Sequence, residues 1–244
     1  MTVTVQSFIE TLDTYFAHDD MKGAGVYLRE TYAFAKDHAD DRLLFAVLNE
    51  MMGYYRKTGE VDSGLSAIDE SLALVRKMGI SERVSGATAF LNAATTFKAF
   101  DRAPEGLPYY EAAEAIYRRE LSPHDARMAG LHNNMALALV DIGRYSEAEE
   151  RYAMSLSILS HLDGKETDIA NTYVNMAHLY EIHEDYEAIE TCLNRAMDAL
   201  ERDTNRSGYY AYTCRKCAPS FGHFGYFVYE NELNERADRI YEGT

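Results

Sequence analysis

Side chains that perform chemistry must stand at fixed spacings, and the first such pair in this chain is Cys214-x-x-Cys217. A redox pair of this form needs the helix N-terminus of a thioredoxin-like strand–helix unit, and no strand pattern surrounds it. A zinc site needs four ligands, and only His223 lies close in sequence, with Cys192 a remote fourth. Small cysteines filling helix contacts within an aromatic segment is the reading that fits best. Elsewhere, the eight histidines contain no His-Glu-x-x-His pair, and His178 and His183, five apart, fall on different faces of a helix. Glycine-rich phosphate loops and the Gly-x-Ser-x-Gly elbow are absent from the sequence. Glu147, Glu149 and Glu150 lie together near an expected helix start, where acidic residues form a solvated face. No enzyme activity, no metal and no cofactor is therefore expected.

Polar residues that recur in register are the stronger signal. Glu50, Asn92, Asn134 and Asn175 follow one another at intervals of 42, 42 and 41 residues. An asparagine amide both donates and accepts, so it can pair with a peptide main chain whatever side chains that peptide carries. The competing role is to join neighbouring helices by side-chain hydrogen bonds across a stack, and both roles stay open on the sequence alone. The same face would carry Asn49, Arg56, Lys98, Asn133, Asp141, Asn171, His178 and Glu181. Asn92, Asn134, Asn175, Asn49, Arg56, Lys98 and His178 are the peptide-binding candidates.

A register of about 42 residues must come from repeated elements. The clearest is Ala129 to Leu159, AGLHNNMALALVDIGRYSEAEERYAMSLSIL, which reads as two amphipathic helices joined at Asp141-Ile142-Gly143-Arg144. Taking the turn residue as anchor gives Asp19, Gly59, Asp101, Gly143 and Glu184, spaced 40, 42, 42 and 41. Nine residues after each anchor stand Leu28, Ile68, Tyr110, Tyr152 and Leu193, all bulky. Twelve after stand Thr31, Ser71, Ala113, Ser155 and Ala196, all small. Five after stand Ala24, Gly64, Gly106, Ala148 and Ile189, small in all but the last. Helices packed roughly 8–10 Å apart need a small residue where their ridges cross and bulky ones in the flanking grooves. Each hairpin leaves an apolar face open, and only its neighbour can cover it.

These hairpins, most clearly HNNMALALVDIGRYSEAEERYAMSLSIL and TYVNMAHLYEIHEDYEAIETCLNRAM, resemble the tetratricopeptide repeat. The period is similar to that of the longer variety found in kinesin light chains and bacterial quorum-sensing peptide receptors, and Ser122-Pro123-His124-Asp125-Ala126 looks like the kinesin-light-chain connector. Residues 4–200 carry the resemblance. The sequence departs from it where the first helix should offer Gly or Ala seven before the anchor: Leu12 and Met52 stand there in the first two units. The resemblance implies an all-α, right-handed superhelical array of antiparallel helix hairpins whose first helices line a concave groove. It also implies that asparagines in this register hold a ligand's backbone. The Lys/Asn/Arg clamp of chaperone-binding relatives is missing, with Ile9 and Asp13 at its first positions, so a chaperone tail is not the expected ligand.

One domain over residues 1–244 is expected, with hairpins at 4–38, 41–79, 82–121, 125–162 and 167–202. A shortened aromatic hairpin at 207–242 follows, anchored at Glu232, its first helix long and kinked at Pro219. Asp40-Asp41, Ser81-Glu82, Ser122 to Asp125, Thr167-Asp168 and Ser207 are the expected helix starts. Pro108 would be too deep for a helix that begins at Pro104, so that helix is expected to start near Gly106 or Leu107.

A net charge of −16 disfavours nucleic acid, which needs a basic surface. No window approaches about 18 apolar residues, so no membrane span is expected. The stretch MTVTVQSFIETLD lacks the features of a signal peptide, and three cysteines do not suggest a secreted disulfide framework, so a cytoplasmic location is expected. The expected function is a protein-interaction module that binds a still unidentified peptide or partner helix in the groove. The alternatives are a regulatory peptide-sensing domain, or a structural protein that forms homodimers through its C-terminal aromatic hairpin.

Overall fold

A computed structural model describes residues 3–243, and among them twelve α-helices and no strand are found. Consecutive helices pair as antiparallel hairpins: α1 (Val5–Ala17) with α2 (Met21–Asp37), α3 (Asp41–Thr58) with α4 (Val61–Lys77), and α5 (Val84–Ala99) with α6 (Ala103–Glu120). They continue with α7 (Ala126–Asp141) and α8 (Tyr145–Leu159), α9 (Glu166–Ile182) and α10 (Tyr186–Arg202), then α11 (Gly208–His223) and α12 (Phe227–Glu242). The helices group into two compact units, Met1–Ser122 and Pro123–Thr244. Within each, successive first helices touch: α1 on α3 and α3 on α5 in one, α7 on α9 and α9 on α11 in the other. No described helix is long and apolar enough to cross a membrane.

All five anchors occupy the left-handed backbone region, with φ between 55° and 75°. That conformation reverses the chain after the first helix of each hairpin and brings the second helix back along it. Glycine adopts it without steric cost at Gly59 and Gly143, whereas Asp19, Asp101 and Glu184 carry a side chain there. The bulky positions nine residues later, Leu28, Ile68, Tyr110, Tyr152 and Leu193, are each at most 1% exposed. The small ones at twelve are buried too, from Thr31 to Ala196. The large–small alternation is thus the packing code of the hairpin interface.

The position seven before the anchor sets how close the two helices come. Ala94, Ala136 and Ala177 are fully buried there, as are the larger Leu12 and Met52. The helices of the third to fifth hairpins pack against each other over a greater extent than those of the first two. A leucine or methionine at the crossing is expected to hold its pair further apart.

Several expected boundaries are corrected. The sixth hairpin turns at Gly225, φ 86°, not at Glu232, which lies inside α12. Gly225 follows Glu184 by 41 residues, and both helices are 16 residues long, so the hairpin is full-sized and in phase. Helix α11 runs through Pro219. Its aromatic core, with Tyr210 and Phe221 fully buried, is covered by α12, whose buried residues are Leu233 and Ala237 and whose first turn leaves Phe227 and Val228 exposed. Helix α6 starts at Ala103, ahead of the expected start, and includes Pro108. Ala103 and Gly106 are both buried, Gly106 against the Ala94 backbone, so packing on α5 sustains a turn that has lost one hydrogen bond. Asp40 and Asp125 cap α3 and α7 through their carboxylates, and Ser207 stands at the N-cap of α11 without a side-chain cap bond. The N-caps of α5 and α9 are Arg83 and Lys165, displacing the expected Ser81 and Thr167.

Candidate functional site

Helical geometry puts residues three and four apart on one face, so the asparagine register projects from the first helices as one line within each unit. In the first unit, Asn92 Nδ2 on α5 donates to Asn49 Oδ1 on α3 at 2.9 Å, and Asn49 Nδ2 in turn donates to the Phe45 carbonyl. Arg56 reaches across the same seam, its Nη1 lying 3.4 Å from the Asn92 carbonyl and 3.5 Å from Thr96 Oγ1. Lys98 lies half-buried on α5. Glu50 is half-buried beside them. Burial, then the charge of Asp13, pushes its carboxyl above the usual range, against the opposing pull of Arg56 and Lys57.

The sign of that shift gives a stability test. A carboxyl raised on folding contributes its stability below the unfolded pKa and loses it as pH rises through the folded value. Glu50→Gln is therefore expected to raise the urea midpoint at pH 7 and to leave it unchanged below roughly pH 4, where carboxyls are protonated in both states. A lower midpoint for the variant at pH 7 would show that Glu50 is held by a favourable ionic contact instead.

The second unit repeats the seam. Asn175 Nδ2 on α9 donates to Asn133 Oδ1 on α7 at 3.0 Å. The asparagine nine before one anchor thus bonds to the asparagine ten before the preceding one, in both units. Each bond uses one N–H of the donor amide, and the second N–H and the side-chain oxygen of Asn92 and Asn175 remain for other partners. His178, one turn beyond Asn175, shares a hydrogen bond with Ser220 Oγ on α11 through Nε2 at 2.9 Å.

Asn134 is placed differently. It lines a cavity of about 250 Å³ on the first-helix face of the second unit, together with Gly130 and Asn133 of α7, Asp168, Asn171 and Thr172 of α9, and Tyr209 and Lys216 of α11. Ser155 of α8 forms part of the lining; its hydroxyl is fully buried and makes no hydrogen bond among the described residues. Tyr209 Oη donates to Asp168 Oδ1 at 2.9 Å, and Lys165 Nζ stands 3.5 Å from the other carboxylate oxygen. Asn171 donates to the Thr167 carbonyl and accepts from the Cys217 thiol, 3.7 Å away. The cavity therefore offers amides, hydroxyls, the Asp168 carboxylate and the Lys216 ammonium.

Lys216 is the residue that sequence reasoning missed. It lies nine before Gly225, the asparagine position in the other units, and an anchor at Glu232 hides that. Asp141 and Glu181, also expected on this face, are both on first helices, and Glu181 accepts from His223 Nε2 at 2.6 Å. The three cysteines are buried. Burial pushes the Cys192 thiol up to about 11 and Cys217 up to about 12, and raises Cys214 as well. Thiols in that state are packing groups, not nucleophiles.

The tetratricopeptide repeat family profile matches residues 85–160 and 126–202. No curated protein sequence matches the chain. Among solved structures, BtubC (BKLC) from P. vanneervenii superposes with a TM-score of 0.59 at 18% identity, over 93% of this chain and 91% of that one. The nearly identical TPR-like repeats of a Podosopora anserina kinesin light chain give 0.56 at 17% identity, over 79% of this chain and 92% of theirs. A Rap protein complexed with Competence and Sporulation Factor gives 0.66 at 13% identity; 98% of this chain is covered but only 64% of Rap. Residues 85–202 thus match the tetratricopeptide repeat, and the chain as a whole shares the fold of these helix-hairpin repeat arrays.

Proposed function

We propose that this protein is a non-catalytic interaction module that holds an extended peptide or a partner helix against its first-helix face, with the cavity around Asn134 as the anchoring point. The observation that carries the reading is the cavity itself: polar groups from α7, α9 and α11 converge on it, among them the amides of Asn133, Asn134 and Asn171, the Asp168 carboxylate and the Lys216 ammonium. A ligand's main chain supplies both the donors and the acceptors with which such amides and charged groups pair. The Rap structure, similar in fold, holds Competence and Sporulation Factor, which supports reading such an array as a receptor for a ligand of this kind.

The test is affinity capture from lysate with quantification by mass spectrometry. Asn134→Ala combined with Asn175→Ala is expected to abolish recovery of the specific partner while the helical circular-dichroism signal stays unchanged. Lys216→Ala should weaken recovery on its own. Retention of every partner by the double variant would remove this face as the binding site.

A further inference from the structure

On α9 and α11, the peptide-binding candidate His178 meets two groups that the peptide-binding reading does not use, Glu181 and His223. Their ligand atoms, one from each residue, all lie within 4.8 Å of one another. Glu181 sits between the two rings, with Oε1 at 2.6 Å from His223 Nε2 and Oε2 at 3.5 Å from His178 Nδ1. Phe224 packs against both rings, its centroid 5.0 Å from that of His178 and 4.9 Å from that of His223. Ser220 Oγ contacts the far nitrogen of His178 at 2.9 Å. In the tautomer that a bound cation would select, Nε2–H donates to that hydroxyl and the lone pair of His178 is on Nδ1, the nitrogen that faces Glu181. A ring whose outer N–H is tied to a neighbour while its inner nitrogen points at further ligands is the orientation found around bound metals.

We propose that His178, Glu181 and His223 bind a divalent transition-metal ion of the zinc class, which staples α9 to α11. Two imidazoles and a carboxylate suit zinc, cobalt or nickel, whereas calcium and magnesium require an all-oxygen set. Bonds of about 2.0–2.2 Å in a tetrahedral site place ligand atoms roughly 3.3 Å apart. The cluster reaches that by rotation of side chains that are all 42–52% exposed and have room to turn. Three protein ligands leave a fourth position for water or for a donor atom of another molecule. The ion sits in the same line of α9 as Asn175, so its occupancy would alter the face on which a partner is proposed to lie. The site itself stands independently of that proposal.

The experiment is calorimetric titration of the metal-stripped full-length chain with zinc, followed by a cobalt absorption spectrum. One zinc per chain is expected, with binding lost in His223→Ala and in Glu181→Gln and retained in His124→Ala, which alters the separate His124–His161 ring pair. Ser220→Ala, which removes only the orienting hydroxyl, is expected to weaken zinc about tenfold or more. The cobalt spectrum should lack a thiolate-to-metal charge-transfer band. Absence of stoichiometric binding, survival of binding in both His223→Ala and Glu181→Gln, or a thiolate band pointing to Cys214 and Cys217 would each overturn the proposal.

Discussion

Replacing Ala136 with leucine is expected to destabilise the protein by about 3 kcal/mol, the upper part of the range for overpacking a well-filled core. Ala136 is fully buried on α7 at the point where it crosses α8, and the equivalent residues of the third and fifth hairpins, Ala94 and Ala177, are alanines with no exposure. Three added carbon atoms have no void to enter, so the two helices must separate or the leucine must leave its rotamer wells. The reciprocal substitution tests the same rule. Met52→Ala, at the same position of the second hairpin, should leave a cavity and cost about 2–5 kcal/mol. Urea denaturation of both variants measures these effects, and a neutral Ala136→Leu would mean that this position does not set the helix separation.

Gly86→Ala is expected to be the most damaging single-methyl change in the chain, with a net loss of about 2–3 kcal/mol despite the roughly 1 kcal/mol that alanine gains over glycine in a helix. Gly86 is buried in the first turn of α5, where the connector from α4 folds back over it. A Cβ there would run into the carbonyl oxygen of Ile80 and stand 3.3 Å from the Ser81 Cα. That same carbonyl accepts the Arg83 N–H at 2.9 Å, so it cannot turn aside without giving up the hydrogen bond that leads into the helix. Gly53 is the control. It lies inside α3, where an added methyl would meet only Arg56 Nη2, at 3.7 Å, and Gly53→Ala should gain about 1 kcal/mol by helix propensity alone. A thermal melt that places Gly86→Ala at or above the parent would refute the backbone clash.

The hairpins are legible in the sequence because their interfaces impose size at fixed offsets. An alanine at 196 or a leucine at 193 is dictated by a contact one helix away, and such contacts recur every repeat. The left-handed anchors Asp19, Asp101 and Glu184 are legible through phase, although residue type alone would not mark them. What hides the sixth turn is composition: the dense aromatics from Tyr209 to Tyr229 satisfy several alignments, and an anchor at Glu232 fits them as readily as one at Gly225. Pro108 misleads for a different reason. A local rule about proline gives way to the burial of Ala103 and Gly106, which acts over a whole helix face. The candidate site is legible only in part. Asparagines in register are visible, but whether each bonds its neighbour, as Asn92 and Asn175 do, or lines a cavity, as Asn134 does, depends on an offset of one residue between adjacent helices. Asp168, Tyr209 and Lys216 meet from two helices about 40 residues apart, and no linear spacing announces that meeting.

Between hairpins the chain turns on a further set of left-handed residues, Ala39, Gly79 and Gly164. Repeat lengths of 40, 42, 42, 41 and 41 differ while the buried offsets inside each hairpin stay in phase, so the differences are absorbed in the connectors, which run from three residues at 38–40 to six at 78–83 and 160–165. Each connector acts as punctuation between self-contained phrases of sequence. Duplication or loss of a whole phrase at such a mark keeps every later contact in frame, whereas a single residue added within a helix turns all that follows by about 100°. The fold can thus lengthen or shorten by cassettes.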